Sequence, residues 1–284
     1  MATSPHSSVQ QARKGVAQRL REIRLDARLT ARALAASAGW HESKCSRIEH
    51  ARTPPSDADI REWCRICGAE DQAQELITLS RAADSMYVEW RRVHPTGLRQ
   101  LQEARVPLYE ATRHFRIYCS QVVPGLLQTP AYAGALLTSI AQFHETPNDV
   151  EAAVTARVAR SRVLFEGDHR FAVLVEESVL RYRVGDAEVM AGQLGHLLAV
   201  TSLPSVSLGV IPFTAQRRVW PLEGFNIFDN TRVHIELLSA AVAVTQPREI
   251  AVYIQGFTGL AESAVYGAEA RDVITSAIAA LDHA

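Results

Sequence analysis

The side chains best suited to chemistry lie in one short run, Glu42-Ser43-Lys44-Cys45-Ser46-Arg47-Ile48-Glu49. Wound into a helix, Cys45 and Ile48 form a narrow inward face and leave Glu42, Ser43, Lys44, Ser46 and Arg47 pointing outward. A short helix with a polar outer face fits the major groove of B-DNA, roughly 12 Å wide. The chemistry expected is hydrogen bonding to base edges and phosphates. Arg47 carries the planar fork that pairs with guanine, and Ser43 stands in the first turn, where a recognition helix approaches base edges. Ser46 is small enough to let the helix sit close. Lys44, Arg52 and, on the preceding helix, Arg32 are expected at phosphates. Glu42 has two readings, as an acceptor from cytosine N4 or as a favourable charge at the helix N-terminus.

Other reactive residue types point elsewhere. No nucleophile elbow, phosphate loop, dinucleotide-binding glycine run or His/carboxylate metal spacing occurs in the chain, so neither an enzyme nor a cofactor is expected. Cys64-Arg65-Ile66-Cys67 is a single pair, whereas structural zinc sites usually need two; packing as small hydrophobes outranks metal or redox roles. Arg157, Arg160 and Arg162 read as a solvated helix face, with an anion or acidic partner as the alternative. Trp220 and Phe225 flank a Pro-Leu-Glu-Gly loop and read as ordinary packing, with a pocket lining as the alternative. Glu176 and Glu177 open a helix and read as cap groups.

The reading run needs a scaffold to present it. Thr30 can cap a helix through its hydroxyl, Leu34, Ala35 and Ala38 form its buried stripe, and Gly39 ends it in the left-handed conformation. A first helix over 15–28 turns Val16, Leu20, Ile23 and Ala27 inward and Arg19, Arg21 and Arg24 outward. Ser56 and Asp59 make a near-capping box for a fourth helix with Trp63, Cys64 and Cys67 toward the core. A fifth, over 71–85, has Leu76, Leu79 and Ala83 on one side. The expectation is an all-α five-helix helix-turn-helix domain over 13–85, after a disordered leader at 1–12 and before a connector at 86–107. From 108 to 284 an α+β domain is expected, with a mainly antiparallel sheet backed by helices. Its strands are 115–118, 171–175, 206–211, 225–228 and 233–237, the last three at hairpin-like spacing. Thr129-Pro130 and Thr146-Pro147 start helices, the second with Asp149 as its third helical residue. Further helices are expected over 186–203, from Pro247 and over 266–281.

Composition sets the bounds. The chain is 47 % hydrophobic and 21 % charged, ordinary for a globular protein, with a net charge of −1. Between Arg13 and Trp63 there are eleven Lys and Arg against seven Asp and Glu; the remainder holds 19 against 24. A basic head on an acidic body suits an N-terminal encounter with phosphate. Residues 1–10 are rich in Ser, Pro and His without an apolar core, and no run approaches 18 apolar residues, so neither a secretory signal nor a membrane span is expected. The four cysteines suggest a reducing, cytoplasmic setting.

Two resemblances extend this reading. Residues 15–71 resemble the Xre/Cro-repressor class through Thr30, Ala35-Ala36, Gly39 and Ser43-Lys44-Cys45-Ser46-Arg47-Ile48-Glu49. The family often has Gln at the start of helix two, touching phosphate or base; here it is Ala31. The small hydroxyl residue usual before helix three is His41. The second half, with Val122-Val123-Pro124-Gly125-Leu126-Leu127-Gln128-Thr129, Ala131-Tyr132, Glu177-Ser178-Val179-Leu180-Arg181, the Val206 to Phe213 strand and Gly224-Phe225, is similar to a domain fused to Xre heads in actinobacterial regulators. The resemblance implies an antitoxin-like transcription factor with a small partner protein encoded beside it. The expectation is a cytoplasmic, sequence-specific regulator that binds double-stranded DNA. Its body would form a homodimer and receive a signal from a small partner protein or a small molecule. A module that chiefly neutralises a cognate partner and autoregulates its operon is the alternative.

Overall fold

A computed structural model describes residues 5–85, 87–90 and 97–283. The chain divides into two compact units, Met1–Val88 and Glu89–Ala284. Positions 1–4 of the expected leader, and 86 and 91–96 of the expected connector, lie outside the described residues.

The first unit holds α1 (Pro5–Asp26), α2 (Ala31–Ser37), α3 (Glu42–Glu49), α4 (Asp57–Cys67) and α5 (Ala73–Ser85). Helix α1 begins ten residues before the expected 15, so a leader without structure is corrected over 5–12. The core joins Leu20, Ile23, Leu34, Ala35, Cys45, Ile48, Ile60, Trp63, Cys64, Leu76 and Ile77. On α5 the buried apolar residues are Leu76, Ile77 and Ala83, joined by the buried Ser80, whereas Leu79 is exposed, so the buried stripe is rotated from the predicted one. Three local devices set the helix ends. Thr30 accepts from the Ala33 amide, Ser56 and Asp59 form a reciprocal capping box, and Gly68 closes α4 with φ +67°. Trp63 ties α4 to α1 through Nε1–H···O=C of Leu20 at 2.9 Å.

The second unit is built on a seven-stranded sheet. Its strands are β1 (Tyr87–Glu89), β2 (His114–Cys119), β3 (Arg170–Glu176), β4 (Val206–Ile211), β5 (Phe225–Phe228), β6 (Arg232–Glu236) and β7 (Ala240–Val244), in the order β1-β7-β6-β5-β2-β3-β4. The boundary between units falls within β1. Strands β2, β3 and β4 run parallel, while β5, β6 and β7 join antiparallel. The sheet is therefore mixed, which corrects the expected mainly antiparallel one. The physical reason is connection length: β2 to β3 and β3 to β4 are joined through helices, and long crossovers return a strand in the same direction.

Helices α6 (Leu98–Glu103), α7 (Val106–Ala111), α8 (Pro130–His144), α9 (Val150–Arg160), α10 (Glu177–Arg181), α11 (Ala187–Val200), α12 (Pro247–Ala261) and α13 (Gly267–Ala279) surround this sheet. One face buries Phe115, Ile117, Phe171, Val173, Val175 and Phe228 against Met190, Leu194 and Leu197 of α11 and Ile274 of α13. On the other, the tilted rings of Tyr118 and Phe225 meet at 5.5 Å and Phe225 meets Tyr253 of α12 edge-on at 5.1 Å. Helix α9 starts at Val150, not Pro147, and its N-cap Asp149 makes no cap to its own helix. The Asp149 carboxylate instead accepts the amides of Leu98 and Arg99, both at 2.9 Å, and so caps α6.

Candidate functional site

Helices α2 and α3 form the helix-turn-helix pair. Their turn is set by Gly39 at φ +68° and by the Trp40 amide donating to Ala35 at 2.8 Å. His41 occupies the N-cap of α3, and its Nδ1 accepts from the Ser43 amide at 3.3 Å. An imidazole thus does the work of the usual hydroxyl. Cys45 and Ile48 are fully buried beneath α3, and Glu42, Ser43, Ser46 and Arg47 are exposed along its outer side. Arg32 on α2 and Arg52 after α3 are exposed as well, whereas Ala31 is half-buried against the core.

Lys44 stands apart from that row. Its Nζ lies 2.6 Å from Asp59 and 4.4 Å from the centre of the Trp40 ring. Burial works against the Asp59 carboxylate, but the hydrogen bonds from Lys44 and Ser56 outweigh it and hold its pKa below the usual value. Lys44 therefore clamps α3 to α4. Beneath the helix, Arg24 grips Glu49 with Nε at 2.6 Å and Nη2 at 3.0 Å, and its Nη1 donates to the Leu29 carbonyl. Both side chains are buried, so Arg24, expected outward, is a strut between α1 and the end of α3. Sequence reasoning missed it because the charge of Arg24 outweighed its position, four residues after Leu20 and next to Ile23 on the inward face.

Among the described residues, the side chains of Arg32, Arg47 and Arg52 make no hydrogen bond or ion pair within the chain. Their guanidinium groups are thus available to a ligand. The arrangement offers one exposed fork on the reading helix and flanking charges on either side of it.

The cysteines carry no comparable chemistry. Burial pushes the Cys45 and Cys64 thiols up, Cys67 to about 11 and Cys119 to about 12, so all four are protonated at neutral pH. Among the described residues no His, Cys, Asp and Glu cluster is placed to hold a metal ion. Nor is any described helix long and apolar enough to cross a membrane.

In the second unit the residues singled out from sequence separate. Phe225 is 1 % exposed within the sheet while Trp220 is 73 % exposed on the preceding loop, so they do not line a common pocket. Arg157 and Arg160 are not on a solvated face. Arg160 is buried, stacks over Tyr109 at 4.6 Å and donates to Gln102. Arg157 donates to Gln102 at 3.1 Å and Gln128 at 2.7 Å. They sit four and seven residues beyond the buried Ala153, and that spacing was the available signal. Burial, with the neighbouring Arg160 second, lowers the Arg157 pKa to about 10. Arg105 pairs with Glu236 at 2.5 Å, and that guanidinium holds the Glu236 carboxyl below its ordinary value. Glu176, expected as a cap group, makes no cap bond; it accepts from Tyr118 and pairs with Arg217.

The first unit is thus a helix-turn-helix DNA-binding domain, and residues 16–76 match the model described as "Helix-turn-helix domain". Residues 106–276 match the "Domain of unknown function (DUF5753)", which spans most of the chain, and the protein belongs to that family. No curated protein matches it. Among solved structures it is similar to TrmBL2, an archaeal chromatin protein whose structure shows a novel mode of DNA binding. The identity is 11 %, the match covers 74 % of this chain and 70 % of that one, and the TM-score is 0.32. A likeness that low identifies neither fold nor function.

Proposed function

We propose that this protein is a sequence-specific transcriptional regulator of the Xre type, in which α3 reads an operator and the second unit receives a signal. The observation that carries the reading is the exposed row Ser43, Ser46 and Arg47 on a helix anchored from behind by Cys45, Ile48 and the Arg24–Glu49 strut. Arg47 reads a guanine, Ser43 lies at base edges, and Arg32 and Arg52 hold phosphates. Lys44, committed to Asp59, positions the helix. Ala31 offers the backbone only a small neighbour at the position where a longer amide would reach DNA. Glu42, in the first turn, either accepts from cytosine or favours the helix terminus.

One helix of eight residues samples few base pairs, so the protein is expected to act as a homodimer on two half-sites. The antitoxin-like role and the small partner protein encoded nearby rest on the resemblance of the second half to actinobacterial regulators. Selection of bound sequences from a random duplex pool tests the reading. A palindromic site should emerge, and Arg47→Ala should cost about 1–3 kcal/mol and relax one base position, while Arg52→Ala should weaken all sequences alike. Equal behaviour of the two variants would overturn the assignment of contacts. Sedimentation showing a monomer with undiminished operator binding would remove the dimer.

A further inference from the structure

We infer that the open pocket bounded by α6, α8, α9 and β6 binds a small amphipathic organic anion, a carboxylate on an apolar body, through Arg105 and Arg157. The inference rests on the regulator reading only in taking that anion as the signal.

The cavity holds about 220 Å³, more than the roughly 150 Å³ that suffices for benzene in an apolar protein cavity. Its walls are of two kinds: Leu101, Leu137 and Ile140 are apolar, and Arg105, Arg157 and Glu236 are charged. Glu236 has 54 % of its side chain accessible and Arg105 24 %, so the pocket opens to solvent and a ligand can reach both. Charge is unbalanced there. Among the described residues the field on Glu236 comes from Arg105, Arg157 and Arg160, three guanidinium groups to one carboxylate. A bound anion would offset that surplus of positive charge.

Hydrogen bonding is incomplete in the same direction. Arg157 spends Nε and Nη1 on neutral side-chain oxygens, and among the described residues its Nη2 has no acceptor. Among the described residues Arg105 bonds through Nη2 alone. Behind them, the buried Nε of Arg160 lacks a partner. A guanidinium edge with donors to spare matches the two oxygens of a carboxylate. Glu236 borders the same space and disfavours a doubly charged head such as phosphate, and the leucine and isoleucine walls call for an apolar body.

Calorimetric titration and thermal unfolding of the full chain with octanoate, octan-1-ol, octylamine and inorganic phosphate test the site. Octanoate alone should bind and raise the unfolding midpoint. Arg157→Met, which keeps the aliphatic stem, should weaken octanoate at least about tenfold, the effect of losing one hydrogen bond to a charged group. Glu236→Gln should tighten it, and decides by itself if the arginine variant does not fold. Equal shifts with octan-1-ol, phosphate binding as tight as octanoate, or affinities untouched by both variants would overturn the site. Operator affinity measured with and without octanoate separates the two readings. Bound octanoate that leaves DNA affinity unchanged overturns its role as signal, whereas intact DNA binding without octanoate binding overturns the site alone.

Discussion

Lys44 and Arg47 stand three residues apart on one short helix, and both are cations, yet their surroundings give them different work. Lys44 is tied to Asp59 and lies over Trp40, so its charge is already answered. Lys44→Ala should lower stability by about 1 kcal/mol, the scale of a partly exposed pair with a cation–π contact, and leave the salt dependence of DNA binding unchanged. Chemical denaturation alongside a salt titration of DNA affinity checks both halves. Arg24 is a more severe case. Truncating it leaves Glu49 buried without a partner, and Arg24→Ala should cost about 3–5 kcal/mol. Equilibrium unfolding with a loss under about 1 kcal/mol would show that α3 does not depend on this strut. The sequence alone marks Arg47 as exposed through the burial of Cys45 and Ile48 around it. It cannot show the fate of Lys44, since Asp59 lies on another helix.

Elements in this chain are closed by caps that are sometimes local and sometimes distant. Thr30, Ser56 and Asp186 cap the helix that follows each of them, and their hydrogen bonds span three residues, which makes them legible in sequence. Asp149 reaches instead to the start of α6, across about fifty positions. Gly97 makes room for it, with φ +88° and a Cβ position that would lie 2.2 Å from the carboxylate oxygen. Asp149→Ala should therefore destabilise the second unit by about 1 kcal/mol, the usual cost of a lost cap, and raise hydrogen exchange at the Leu98 and Arg99 amides rather than in α9. Protection lost first in α9 would contradict the assignment. The strand β7 was missed for a propensity reason. Ala240, Ala241 and Ala243 are poor strand formers, and only pairing with β6 turns Val242 and Val244 onto the core face.

At the scale of the whole molecule, charge placement governs the response to acid. His234 lies on β6 against Phe228, and burial first, then Arg105 and Arg232, lowers its pKa to about 4 while Glu236 opposes. An imidazole is ordinarily half-protonated near pH 6.5. The folded state binds the proton less readily than the unfolded chain, so the stabilisation is present above about pH 6.5 and is lost as pH falls toward 4. The loss should amount to at most roughly 3 kcal/mol, and His234→Asn should flatten the stability curve in that window. A wild-type curve already flat between those values would refute the coupling.

Sequence by itself determined what depends on neighbours within a turn or two: the helix-turn-helix pair, its caps, the buried Cys45 and Ile48, most strands of the second unit and the exposed row on α3. These follow from periodicity and short-range hydrogen bonds, which act before the chain is folded. Tertiary structure decided which charges are spent and which remain. Arg24 and Lys44 became struts, Arg157 and Arg160 turned inward beside Arg105 and Glu236, and helical crossovers made part of the sheet parallel. Each outcome depends on a partner brought close by folding, and the electrostatic worth of a charge is set by that partner and by its depth, neither of which spacing along a chain contains.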